Sequence, residues 1–366
     1  MPVQPFHINI DPAILDDLHE RLARTRWTDQ IDGAGWDYGT ELGYLQELIA
    51  YWRDQFDWRA QEAMLNRFHH FRAEIDGLGI HFIHERGAES KLPLILTHGW
   101  PDSFYRFYKL IPLLTDSFDV IVPSIPGYGF SDIPRERGLN SKVTAELWFK
   151  LMTELGYARF GAVGGDIGSG ISRFLALAHP EQVVAIHLTD LGTAMPPTGE
   201  LSDAEQRFIG EVQQWSADEG AYGSLHRTKP QTLAYGLNDS PVGLAAWIIE
   251  KFRSWSDCDG EIERRYSKDE LLTNLTIYWA TQTINSSVRI YYENRLLLLK
   301  EPARHIDVPV GFALFPKDLL QPPREWVERT ANVQRWTKMP RGGHFAALEE
   351  PELYADDIRV FFRQFR

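Results

Sequence analysis

From residue 94 onward, short apolar runs of strand length alternate with stretches of helical periodicity, and this alternation sets the expected architecture. The runs fall at 94–96, 120–122, 162–163, 183–186 and 310–315, with a further strand-like stretch before Arg341. Helical stretches lie between them at 104–113 and 142–155. Fully apolar strands separated by helices predict a mostly parallel sheet covered on both faces, an α/β fold. Ahead of the first run, 71–75 and 80–84 flank Asp76-Gly77 and predict an antiparallel hairpin. Earlier still, Ile14, Leu15, Leu18 and Leu22, then Leu45, Leu48, Ile49 and Trp52, recur at helical spacing. Asp11-Pro12 supplies a cap and a first-turn proline for the first of these helices. Residues 196–300 lose the alternation and read as helices broken by Pro, Gly and Asn, with Asp239 and Ser240 placed to cap a helix over 241–252. Four segments are expected: a helical meander over 1–75, core halves over 76–195 and 301–366, and a helical insertion over 196–300.

Composition narrows the function. The 366 residues are 43% hydrophobic and 24% charged, as in a soluble globular protein. A formal charge of -13 without any Lys/Arg block excludes nucleic acid as an expected partner. No apolar run approaches the roughly 20 residues that span a bilayer, and residues 1–11 lack a secretory pattern. The single cysteine, Cys258, cannot form an internal disulfide, fits a reducing, cytoplasmic setting and sits in a polar loop-like run as an incidental residue. His81 and His84 lie on opposite faces of a strand, and His69 and His70 lack further ligand spacing, so no metal site is expected.

The sharpest chemical signal is Gly164-Gly165-Asp166-Ile167-Gly168-Ser169, between a short apolar strand and a helix. Small residues two positions either side of Asp166 permit a tight strand-to-helix turn that exposes one side chain at the sheet edge. A carboxylate there is ionised at neutral pH and can attack carbon directly to form an ester. The competing reading is a plain helix cap. His98-Gly99-Trp100-Pro101 follows the run at 94–96, where a loop amide can face the elbow. The backbone N–H groups of Trp100 and Ile167 are the expected oxyanion donors. Trp100-Pro101 is a candidate cis bond, and His98 reads as a structural histidine. Near the C-terminus, Arg341-Gly-Gly-His344 places an imidazole after two glycines, in chain order after the nucleophile. Asp318, just past the run at 310–315, is the expected acid partner of His344. Asp190 is its rival, and Asp132 reads as a turn residue.

Together with Leu237-Asn-Asp-Ser-Pro-Val-Gly-Leu-Ala-Ala246 and the run from Arg341 to Pro351, these motifs resemble the microsomal-type epoxide hydrolases over nearly the whole chain. The resemblance implies an α/β-hydrolase fold whose insertion forms a lid. It also implies a small-molecule epoxide as substrate, no cofactor, and two lid tyrosines that bind the epoxide oxygen. By position these match Tyr222 and Tyr291, with Tyr292 a direct competitor. A phenol can both hydrogen-bond and protonate the oxygen as charge develops. Ile167 departs from the Trp often found there in relatives, and the membrane anchor known in some relatives is missing, so a soluble enzyme is expected. A dehalogenase using the same Asp nucleophile and a non-catalytic binder on this fold are the alternatives. The identity of the epoxide and the oligomeric state, a homo-oligomer being one option, are left open.

Overall fold

The computed structural model describes residues 3–87, 92–191, 199–298 and 304–365. Its centre is a nine-stranded sheet: β1 (Gln4–Pro5), β2 (His70–Ile75), β3 (Leu78–Glu85), β4 (Pro93–Thr97), β5 (Asp119–Pro123), β6 (Phe160–Gly164), β7 (Val183–Leu188), β8 (Ile306–Leu314) and β9 (Ala331–Lys338). Their spatial order is β1-β2-β3-β5-β4-β6-β7-β8-β9. The first four strands in that order pair antiparallel, and every pairing from β5 onward is parallel. The apolar runs are therefore the parallel strands. Every residue of β4, β5, β6 and β7 is buried, because helices cover both faces. This is the α/β architecture expected.

The hairpin between β2 and β3 turns on Asp76 and Gly77, both at positive φ (50° and 79°), as a two-residue turn matched to strand twist requires. Asp132 braces this hairpin as well as its own turn: its Oδ2 accepts from the Gly79 amide at 2.6 Å, and its Oδ1 pairs with Arg72. Two local expectations differ from the structure. The stretch 104–113 is not one helix but a 3-10 turn, Phe104–Phe107, followed by a short helix, Ile111–Leu114. Pro112 lacks the N–H a continuous helix would need, so the helix restarts beneath it. The N-terminal segment also contributes β1, whose two residues carry no alternation to read.

Three helices, Pro12–Ala23, Leu42–Asp54 and Trp58–Leu65, lie between β1 and β2. They touch the helical insertion directly: Trp52 Nε1 donates to Thr276 Oγ1 at 3.1 Å, and Thr40 Oγ1 to the Ala246 carbonyl at 2.6 Å. Among the described residues the insertion holds the helices Asp203–Asp218, Ala221–Thr228, Pro230–Asp239, Pro241–Ser254, Lys268–Thr281 and Ile284–Leu298. Ser240 caps Pro241–Ser254 through the Gly243 amide. The expected junctions at 195/196 and 300/301 lie outside the described residues. Among the described residues no helix is long and apolar enough to cross a membrane.

Parallel register aligns the carboxyl ends of the strands. Thr97 lies opposite Gly164, Gly164 opposite Leu188, Leu188 opposite Phe312, and Leu314 opposite Lys338. The loops that follow β4, β6, β7, β8 and β9 thus emerge side by side at one edge. Such an edge is where α/β sheets bind ligands.

Candidate active site

β6 stops at Gly164 and the next helix, Ile167–Ala178, begins three residues later. The turn between them forces Asp166 to φ 56°, ψ −127°, a conformation that costs a non-glycine residue of order 1–3 kcal/mol. Close backbone approach explains the glycines around it. A Cβ on Gly164 would sit 2.3 Å from the Gly168 carbonyl oxygen, and one on Gly168 would sit 2.0 Å from that of Thr97. A Cβ on Gly99 would fall 2.2 Å from Asp166 Oδ1 itself. The elbow amide, Asp166 N–H, donates to Asp190 Oδ2, which also accepts from Ser169 Oγ at 3.1 Å.

The two oxygens of Asp166 have different surroundings. Oδ1 accepts from the amides of Ile167 (2.6 Å) and Trp100 (3.0 Å), the two N–H groups expected as oxyanion donors. Oδ2 faces His344 Nε2 at 3.4 Å. Asp166 therefore does cap its helix, but only with one oxygen. Burial works against its charge. His344 and the two amides outweigh that and hold the carboxyl below its ordinary range. Trp100-Pro101 is cis. His98 is buried and kept neutral by that burial; its ring bonds the Gly99 carbonyl (3.0 Å) and the Ile125 amide (3.1 Å), shaping the loop.

His344 lies in the loop after β9, and Asp318 in the loop after β8. A parallel bridge between Lys317 and Gly343 ties the two loops together. His344 Nδ1 and Asp318 Oδ1 are 2.7 Å apart, with both side chains 2% exposed. Burial disfavours the imidazolium, yet the Asp318 and Asp166 carboxylates together hold His344 above its ordinary value. Asp190 is placed against the elbow amide instead, and its own pKa is pushed up to about 6 by burial and by the charges of Asp318 and Asp166.

Across the edge stands an aromatic wall. Trp100 stacks on Tyr222 at 5.4 Å and 10°, and meets Tyr291 edge-on at 6.2 Å. His226 fits edge-on against both tyrosines and Trp100. Trp255 bridges the wall to the His344 imidazole, 5.1 Å from Tyr222 and 5.3 Å from His344 between ring centroids. Burial raises the phenol pKa of Tyr222, Tyr291, Tyr128 and Tyr278, and the Asp166 charge adds to the rise in each. Tyr128 and Tyr278 spend their hydroxyls on the carbonyls of Ser287 (2.8 Å) and Asp102 (2.7 Å). The Tyr222 and Tyr291 rings meet edge to face, 6.2 Å apart between centroids. It is Tyr291, through these ring contacts, that joins the wall beside Tyr222.

Several neighbours escaped the sequence reading. Trp255 carries no motif. Lys251 lies over the Tyr222 ring at 5.1 Å. Glu349 accepts from the amides of Gly343 (3.0 Å) and Phe345 (2.9 Å), on either side of His344. Arg106 and Asp102 form a buried ion pair, and their i, i+4 spacing after His98-Gly-Trp-Pro was the available signal. Cys258 is buried, with Sγ against the Arg253 carbonyl, in the loop after the helix Pro241–Ser254.

A carboxylate at a strand-to-helix elbow, an imidazole after the last strand and converging amides are the arrangement of an α/β-hydrolase. Residues 93–284 match the family described as "alpha/beta hydrolase fold", and residues 3–107 match "Epoxide hydrolase N terminus". Epoxide hydrolase 1 of Sus scrofa is 40% identical over 98% of this chain and 88% of its own. The crystal structure of juvenile hormone epoxide hydrolase from the silkworm Bombyx mori superposes with a TM-score of 0.93 at 30% identity, covering 100% of this chain and 95% of that one. Aspergillus niger epoxide hydrolase gives 0.90 at 33%, covering 100% and 97%. The chain belongs to the epoxide hydrolase family, and epoxide hydrolysis is its activity. The dehalogenase and binding-protein alternatives are thereby set aside.

Proposed function

We propose that Asp166 opens the epoxide as a covalent nucleophile and that His344, oriented by Asp318, drives release of the product. Asp166 Oδ2 attacks one ring carbon, the C–O bond of the three-membered ring breaks, and the departing oxygen takes a proton from the Tyr222–Tyr291 pair. Their raised pKa values keep both phenols protonated at neutral pH, as donors must be. The result is a hydroxyalkyl ester on Asp166. Esterification removes the Asp166 charge that helped hold the imidazolium, so His344 gives up its proton, which balances the one donated by the phenols. Neutral His344 then takes a proton from water as that water attacks the ester carbonyl. Negative charge develops on Oδ1 between the amides of Trp100 and Ile167, a preorganised site for it. Collapse expels the diol oxygen, which recovers the proton from His344.

The observation that carries this reading is the division of labour at Asp166, one oxygen bound by two amides and the other facing the base. The wall of Trp100, Tyr222, His226, Trp255 and Tyr291 suits an epoxide with an apolar body. We also infer a cytoplasmic enzyme, on the single cysteine, with segment boundaries at 75/76, 195/196 and 300/301. Styrene oxide incubated with the His344→Gln variant tests the reading. An active-site peptide heavier by the mass of the substrate is expected. A variant that turns over slowly while its Asp166 peptide never gains that mass contradicts it.

A further inference from the structure

Arg106 lies in the 3-10 turn after the oxyanion loop, with a buried guanidinium. Its Nη1 donates to Asp102 Oδ2, and its Nη2 donates to the main-chain carbonyl of His344, 238 residues away. Asp102 Oδ1 accepts from the Gly99 amide at 3.0 Å, one residue before the oxyanion donor Trp100. One ion pair thus joins the loop that holds Asp166 Oδ1 to the loop that carries the base. Its surroundings fix it in place. Tyr278 Oη donates to the Asp102 carbonyl at 2.7 Å, Asn274 Nδ2 to the Pro101 carbonyl at 2.9 Å, and the guanidinium lies over Phe345 at 5.7 Å. A Cβ on Gly165 would come within 3.0 Å of Arg106 Nη2, so the elbow leaves the room the guanidinium occupies.

A buried ion pair gains little stability over apolar packing of the same volume, because both charges lose their water. What the guanidinium offers instead is geometry. Its planar fork aims two donors in fixed directions, which an ammonium cannot do. The two half-reactions depend on that geometry unequally. Ester formation uses Asp166 Oδ2 and the phenols, whereas ester hydrolysis needs His344 and the Trp100 amide in register around one carbonyl carbon. We propose that Arg106 and Asp102 are a positioning pair that holds these two loops in register and so governs hydrolysis of the ester rather than its formation. The proposal rests on the reading of Asp166 as nucleophile.

Rapid mixing of enzyme with styrene oxide, following ester by quenched-flow mass spectrometry, separates the two steps. Arg106→Lys keeps the charge but loses the fork. Ester formation should stay within about threefold of wild type while hydrolysis slows by about 10- to 100-fold, the usual penalty for a small misplacement. Ester then accumulates, and kcat and KM fall together. The neutral pair Asp102→Asn/Arg106→Gln avoids leaving a lone buried charge, and it should show the same step selectivity with a melting temperature near wild type. Equal slowing of both steps, or a lower melting temperature with both rate constants unchanged, would overturn the positioning role. Ester absent from wild type and from His344→Gln alike would instead overturn the nucleophile reading, and this inference with it.

Discussion

The sheet edge and the lid place their reactive groups by different means. At the edge, directional bonds to the backbone do the work. Asp166 is gripped by the amides of Trp100 and Ile167, its own amide by Asp190, and the His344 amide by the Trp255 carbonyl at 2.8 Å. In the lid, Tyr222 and Tyr291 are held mainly by ring packing against Trp100, His226 and Trp255. Hydrogen bonds fix angle and distance tightly. Aromatic contacts tolerate a range of offsets. Under the proposed mechanism, covalent attack and release by water fall to the edge, and accommodation of the epoxide falls to the lid.

Substitutions should divide along the same line, and the largest effect falls at the edge. Asp166→Ala removes the proposed nucleophile and should lower turnover by roughly 10⁴-fold or more; residual diol formation within tenfold of wild type would contradict the assignment. Next, His344→Gln should leave ester formation nearly intact and slow hydrolysis by roughly 10³-fold, read as ester persisting in a single turnover.

How much of this was legible beforehand follows the same contrast. Asp166 could be found because close approach of Gly164, Gly168 and Gly99 imposes small residues at set spacings, a constraint that survives in the linear chain. His344 stood out through its two preceding glycines, and the parallel sheet through its short apolar runs. Packing leaves no such spacing. Tyr222 and Tyr291 emerged only through the resemblance, and Trp255 and Lys251 not at all, since any of many aromatic or long side chains could fill a wall. Asp190 was legible as a carboxylate at a strand end, but its task depended on the direction of one amide. Glu349 serves as an acceptor for backbone amides, a task with no sequence signature.

Lid substitutions should be milder and confined to the first half-reaction. Tyr222→Phe and Tyr291→Phe should each slow ester formation by about 10- to 100-fold and leave hydrolysis of preformed ester unchanged. Loss in the second step would break the division between the two regions. The smallest effect concerns pH. Asp190 is raised to about 6, so it is ionised above that value and gains a proton as pH falls through it, weakening its grip on the Asp166 amide. A modest fall in kcat, about two- to threefold for a weakened hydrogen bond, is expected on that limb, and Asp190→Asn should flatten it. An unchanged limb in the variant would remove Asp190 from the account.

The claim on which the rest depends is that water attacks the enzyme's own ester rather than the epoxide. A single turnover in ¹⁸O-labelled water, with enzyme in excess over substrate, tests it directly. The first diol released should carry no label, and the Asp166 carboxylate should gain one heavy oxygen in place of the Oδ2 it gave to the diol. Label appearing in that first diol, with an unlabelled Asp166 peptide, would contradict it.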